Sequence, residues 1–170
     1  IRAAQGSRGL GELYKRQEYC EKALAIRENT LGKEHPDTAT TYNNIAGVYL
    51  DQGDYAKALE YYKKALALYE KVLGKEHPNT ATTYNNIALV YGNLEDSAKA
   101  LEYYEKALVV YEKVLGKEHP GTAAAYNNIA GVYYNQVDSA KALEYYKKAV
   151  AIREKVLGKE HPGTAAAYNN

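Results

Sequence analysis

With 170 residues, 22 basic against 21 acidic side chains and a net charge of +1, the chain is long enough for one ordinary domain and carries no surplus of either sign. That balance excludes the profile of a dedicated nucleic-acid protein or a polybasic membrane binder, both of which need excess positive charge. No apolar run approaches the roughly 20 residues of a membrane helix, so neither nucleic acid nor membrane is expected as a partner.

Cys20 is the only cysteine, and the N-terminus shows no basic stretch followed by an apolar core. An intrachain disulfide is impossible, no signal peptide is visible, and a cytoplasmic setting is the expectation. Aromatic usage is lopsided, with 19 Tyr, no Phe and no Trp. Most of the tyrosines recur at fixed places in a repeat, which reads as core packing with hydroxyls reaching solvent or a neighbour.

Taken in order, residues 1–11 are expected to be an irregular N-terminal segment, because three glycines within six positions oppose a stable helix. Residues 12–36 read as a partial repeat consisting of its second helix. Arg16 and Cys20 stand there in place of a small residue and an aromatic, so no antiparallel partner helix formed by residues 1–10 is expected.

The pentapeptide Gly-Lys-Glu-His-Pro then sets the frame. It occupies Gly32 to Pro36, Gly74 to Pro78, Gly116 to Pro120 and Gly158 to Pro162, a spacing of 42 residues each time. A fixed period of this size is the signature of a repeat array. Three complete units follow at 37–78, 79–120 and 121–162, adjacent ones about three-quarters identical, and 163–170 is a truncated repeat. The chain lacks an initial Met and both starts and stops inside a repeat, so a longer parent array is expected.

Each unit reads as two helices. In 37–78 the first begins at His35-Pro36, where Pro lacks only a donor that has no partner at a helix start. Tyr42, Ile45, Ala46 and Tyr49 fall on one face of it. Gly53 breaks it, and Asp54 is a favourable N-cap for the second helix, with Asp96 and Asp138 in the same place. Glu95 and Val137 replace the glycine in the later units. The second helix carries Ala58, Leu59, Tyr62, Ala65, Leu66, Tyr69 and Val72 on its apolar stripe. Gly74 is expected to close it as a left-handed cap.

These positions resemble the tetratricopeptide repeat. Tyr42, Ile45, Ala46, Tyr49, Gly53, Tyr55, Ala58, Tyr62 and Ala65 fall where that family carries its large, small and aromatic residues. The unit is eight residues longer than the usual one of that family, and with Tyr-Asn-Asn-Ile-Ala and Leu-Gly-Lys-Glu-His-Pro it resembles the repeats of kinesin light chains. The resemblance implies an all-α, right-handed superhelical solenoid of antiparallel helix pairs.

No enzymatic centre is visible. His35, His77, His119 and His161 come one per unit at a turn before Pro, a spacing that spreads them along the array instead of gathering them on a metal. Nucleophile-elbow and phosphate-loop motifs are absent. No catalytic residue, metal or cofactor is expected.

The face of each first helix opposite the apolar stripe is more informative. It carries Asn43, Asn44, Gly47 and Asp51 in the first complete unit, Asn85, Asn86, Leu89 and Asn93 in the second, and Asn127, Asn128, Gly131, Tyr134 and Asn135 in the third. Asn is a mediocre helix former, so a plain solvent face would favour Glu, Lys or Ala. In the resembled family this face lines a concave groove in which Asn hydrogen-bonds the backbone of an extended peptide. A competing reading is that the Asn side chains bridge adjacent repeats or were copied by duplication. The face has no Lys or Arg, so it lacks a carboxylate clamp. The expected function is a non-enzymatic scaffold with a protein or peptide ligand. The alternative is a structural spacer or an array that self-associates end to end.

Overall fold

The structure, a computed structural model, describes residues 2–168, with side chains from residue 11 onward apart from 166 and 167. The described residues form eight α-helices and no strand. They are α1 (Arg2–Thr30), α2 (Pro36–Asp51), α3 (Tyr55–Val72), α4 (Pro78–Asn93), α5 (Ser97–Val114), α6 (Pro120–Asn135), α7 (Ser139–Leu157) and α8 (Pro162–Tyr168). The all-α solenoid of helix pairs expected from the repeat is what the chain adopts. The chain divides into two compact units, residues 1–74 and 75–170.

Local chemistry explains the helix ends. Pro36, Pro78, Pro120 and Pro162 each stand at the first helical position, where a fixed φ and a missing N–H do no harm. The histidine before each Pro completes the start. His35 Nδ1 accepts a hydrogen bond from the Asp37 N–H at 3.1 Å, and His77, His119 and His161 do the same two residues on, at 3.1, 3.0 and 3.0 Å. An imidazole that accepts through Nδ1 is the neutral form with its proton on Nε2. Asp54, Asp96 and Asp138 cap α3, α5 and α7 through the backbone N–H three residues on, each at 3.1 Å.

Gly74, Gly116 and Gly158 each have the positive φ expected where a second helix closes, +89, +95 and +89. Leu73, still in the right-handed helical region, is the cap of α3. Gly158 has φ 89 and ψ 157, an extended conformation of inverted hand open essentially to glycine alone. It turns the chain away from the helix axis toward the next His-Pro start, where a left-handed helical residue would keep it curling. The carbonyls of Gly32, Gly116 and Gly158 then accept from the buried hydroxyls of Thr38, Thr122 and Thr164 at 2.9, 2.8 and 2.8 Å.

In the first unit α2 and α3 form an antiparallel hairpin and α1 packs on the other side of α2. Ala39, Ile45, Ala46, Val48, Ala58 and Ala65 are fully buried; the alanines let the helices approach, and Tyr62 and Tyr69 fill the space beside them. Tyr61 stacks on Tyr49 at 5.6 Å and meets Tyr42 at 6.2 Å, geometry worth about 0.5–1.5 kcal/mol per pair beyond burial. Lys57 and Lys64 lie over the rings of Tyr49 and Tyr61 at 5.0 and 4.7 Å.

The N-terminal expectation is corrected. Residues 2–11 are not an irregular segment; they are the first turns of α1. The glycines there cost roughly 1 kcal/mol each against alanine, but extending a helix already formed over residues 12–30 needs no new nucleus. Because those residues run on in the same helix, no antiparallel partner made from them covers α1, as expected.

The second unit holds two hairpins, α4–α5 and α6–α7, with α5 packed on α6 and α8 packed on α7. Its tyrosine triads repeat the same geometry: Tyr103 stacks on Tyr91 and Tyr145 on Tyr133, both at 5.7 Å. Glu76 of one pentapeptide pairs with Lys113 at the end of α5, and Glu118 pairs with Lys155 at the end of α7. Glu34 and Lys71 make the same pair within the first unit.

Candidate functional site

The residues singled out on the first helices separate between the two units. In the first unit, Asn43 and Gly47 are half-buried and Asn44 is exposed on α2. Asp51 is engaged: its carboxylate accepts from Arg16 Nη1 of α1 at 2.9 Å. Beside it Gln17 Nε2 donates to the Tyr49 hydroxyl at 3.3 Å, and Gln52 Nε2 donates to Gln17 Oε1 at 3.1 Å. The absence of Lys and Arg on α2 itself holds, but α1 contributes the missing cation. Burial, with Asp51 as the second cause, pushes the Tyr62 phenol up to about 12.

In the second unit the candidates converge. Leu89 and Asn93 of α4 and Asn127, Asn128, Tyr134 and Asn135 of α6 line one cleft of about 380 Å³, together with Gly92, Gly131, Val132, Tyr104 and Tyr146. Asn85 and Asn86 are half-buried and stand outside its lining. Asn128 Nδ2 donates to Asn85 Oδ1 at 2.8 Å, linking α4 to α6. Asn93 Nδ2 donates to the Leu89 carbonyl at 2.9 Å. Asn93 and Asn128 thus already use a donor within the fold, and for Asn128 that use is the bridging of adjacent repeats. The Asn169–Asn170 pair lies outside the described residues.

The cleft lining includes no Asp, Glu, Lys, Arg or His. Its polar atoms are carboxamides, which both donate and accept, and phenols. Burial pushes the Tyr104 phenol up to about 12; burial and the neighbouring Tyr134 raise Tyr146. Those two phenols therefore stay protonated at physiological pH. Among the described residues no group of three His, Cys, Asp or Glu is placed to hold a metal, and no helix is long and apolar enough to cross a membrane.

Sequence reasoning missed Gly92, Val132, Tyr104 and Tyr146. Tyr104 and Tyr146 belong to second helices, at the place that Tyr62 holds on the apolar stripe of the first complete unit, yet both also line the cleft. The signal available was at Gly92, where Leu50 stands one repeat earlier and Tyr134 one repeat later.

A family model described as Tetratricopeptide repeat matches residues 4–71, 38–108, 80–155 and 122–170. Among solved structures, BtubC (BKLC) from P. vanneervenii is 29% identical with a TM-score of 0.80; the match covers 92% of this chain and 60% of that one. A Podosopora anserina putative kinesin light chain with nearly identical TPR-like repeats is 28% identical with a TM-score of 0.78, covering 98% and 79%. The apo form of RapI, 23% identical over 94% of this chain and 42% of its own, shares the fold with a TM-score of 0.75. The chain thus spans less than two thirds of the BtubC structure that it resembles. No curated protein matches it.

Proposed function

Because the chain belongs to the tetratricopeptide repeat family, we propose that it is a non-enzymatic interaction module that holds an extended peptide against the first-helix face of its second unit. The observation that carries this reading is the convergence of Leu89, Asn93, Asn127, Asn128, Tyr134 and Asn135 on one cleft. Carboxamides at its rim suit backbone N–H and C=O groups, and tyrosine rings suit side chains; clefts of about 300–1,000 Å³ are the usual range for binding sites. Panning a random linear-peptide display library against the immobilised chain tests it. The wild type should enrich peptides that an Asn93→Ala, Tyr134→Ala, Asn135→Ala variant no longer holds. Undiminished capture by that variant rejects the reading.

A second reading, end-to-end self-association, is favoured by α1. Tyr19 and Ile26 are 69% and 62% exposed, although their counterparts Tyr61 and Leu68 pack inside a hairpin. The occupant of this face would be α8 of a second copy, whose Tyr168 is the counterpart of Tyr42, the ring that meets Tyr61. Sedimentation of the wild type beside Ile26→Glu tests it; a concentration-independent monomer in both rejects it.

A further inference from the structure

We propose that the cleft of the second unit is a specificity pocket that takes one large, uncharged side chain, aromatic or aliphatic, from the bound peptide. This rests on the peptide-binding reading and adds the ligand chemistry to it.

Two glycines carry the inference. Gly92 lies within α4 and Gly131 within α6, where glycine costs about 0.5–1 kcal/mol against alanine. The usual structural reasons for tolerating that cost fail here. Neither has a positive φ, and a Cβ added at either would meet nothing within 4 Å. So neither backbone conformation nor close packing calls for them. What they do is leave a space, with Leu89 one turn before Gly92 and Tyr134 one turn after Gly131 as its walls. The bulk is staggered between helices: α4 carries Leu then Gly, α6 carries Gly then Tyr. In α2 the Gly92 position is Leu50, which would fill the same space.

The lining sets the chemistry of the occupant. Tyr104, Tyr134 and Tyr146 present rings from three different helices, a surface suited to stacking or to an aliphatic group. A charged side chain placed there would lose hydration and find no counter-charge among the lining residues. The ligand is therefore neutral at this position, and the contribution of this position to affinity does not depend on ionic strength, since screening acts on charge pairs.

The experiment pans the same random linear-peptide library against the wild type and against Gly92→Leu, Gly131→Leu. The expected wild-type ligands share a large uncharged residue at one position, and the factor of affinity lost on replacing it with alanine changes less than about twofold between roughly 50 mM and 500 mM NaCl. The double variant should lose at least about tenfold in affinity while its thermal midpoint stays level or rises, because leucine is the better helix former. Retention of binding by the filled variant, or ligands that carry a charge at the shared position with salt-dependent affinity, overturns the pocket and leaves the peptide-binding reading standing. Failure of the wild type to enrich any peptide over the Asn93→Ala, Tyr134→Ala, Asn135→Ala variant overturns both.

Discussion

Val137 occupies the turn between α6 and α7 with φ +63, in a region that a β-branched residue rarely enters. The corresponding residue in the first complete unit is Gly53, with φ +76. Replacing Val137 with glycine should therefore stabilise the protein. A left-handed conformation costs an L-residue about 1–2 kcal/mol, and a β-branched one belongs at the upper end. Glycine gives back about 0.5–1 kcal/mol through its freer unfolded chain. Val137 is 85% exposed, so the substitution forfeits almost no apolar burial. The net expectation is a gain of about 1–1.5 kcal/mol, read as a higher urea midpoint at unchanged slope. Glu95→Gly, at φ 60 but without a branched Cβ, should gain less, and Gly53→Val should lose stability. The reasoning fails if Val137→Gly is no more stable than wild type, or if Gly53→Val is tolerated at no loss.

Three further outcomes follow from the structure. His77→Ala should lower stability by about 1 kcal/mol in urea melts, the usual worth of an N-cap, while His77→Asn, which can also accept from the Asn79 N–H, should retain most of it; equal losses would refute the cap. Tyr62 and Tyr104, whose phenols burial raises to about 12, lie above the unfolded value near 10, so the stability they supply is complete below about pH 10 and disappears as pH climbs toward 12. Ultraviolet phenolate titration run beside circular dichroism should show those two ionising together with unfolding, and Tyr62→Phe should move the alkaline midpoint upward. Thr122→Val should cost about 0.5–1.5 kcal/mol, because it removes the hydroxyl's hydrogen bond to the Gly116 carbonyl, which keeps its bond from the His119 N–H; a melt within error of wild type would show that the hydroxyl bond contributes nothing.

The helices were legible because their signals are local. Spacing at Tyr42, Ile45, Ala46 and Tyr49 marks a helix face, and Asp54, Asp96 and Asp138 cap where a side-chain oxygen can reach the third N–H. What a single stripe could not reveal was the width of the buried face. Ala39 and Val48 are fully buried because α2 has α1 on one side and α3 on the other. Glycine propensity misjudged residues 2–11, where continuity with a strong helix prevailed. On the candidate face, periodicity set the Asn residues and Tyr134 opposite the apolar stripe; Tyr134 is exposed there, while Asn43, Asn85, Asn86, Asn127 and Asn128 are half-buried. Periodicity could not reveal that Asn128 reaches Asn85 or that Arg16 reaches Asp51, since both contacts join different helices. The cleft itself is made by what is missing at Gly92 and Gly131, and an absent side chain leaves no mark in a hydrophobic pattern.

The Gly-Lys-Glu-His-Pro joint has a consequence for how such chains grow. In the second unit three of its contacts reach forward to residues at fixed later places: His119 to Gly121, the Gly116 carbonyl to Thr122, Glu118 to Lys155. A recombination that duplicates or removes one full 42-residue cassette at this joint hands every group an identical replacement partner. Length can therefore change in a single genetic event without a compensating mutation, whereas an exchange out of phase would strand a histidine, a carbonyl and a carboxylate together. Near-identity between neighbouring cassettes promotes such in-phase exchange, and the joint makes its products foldable.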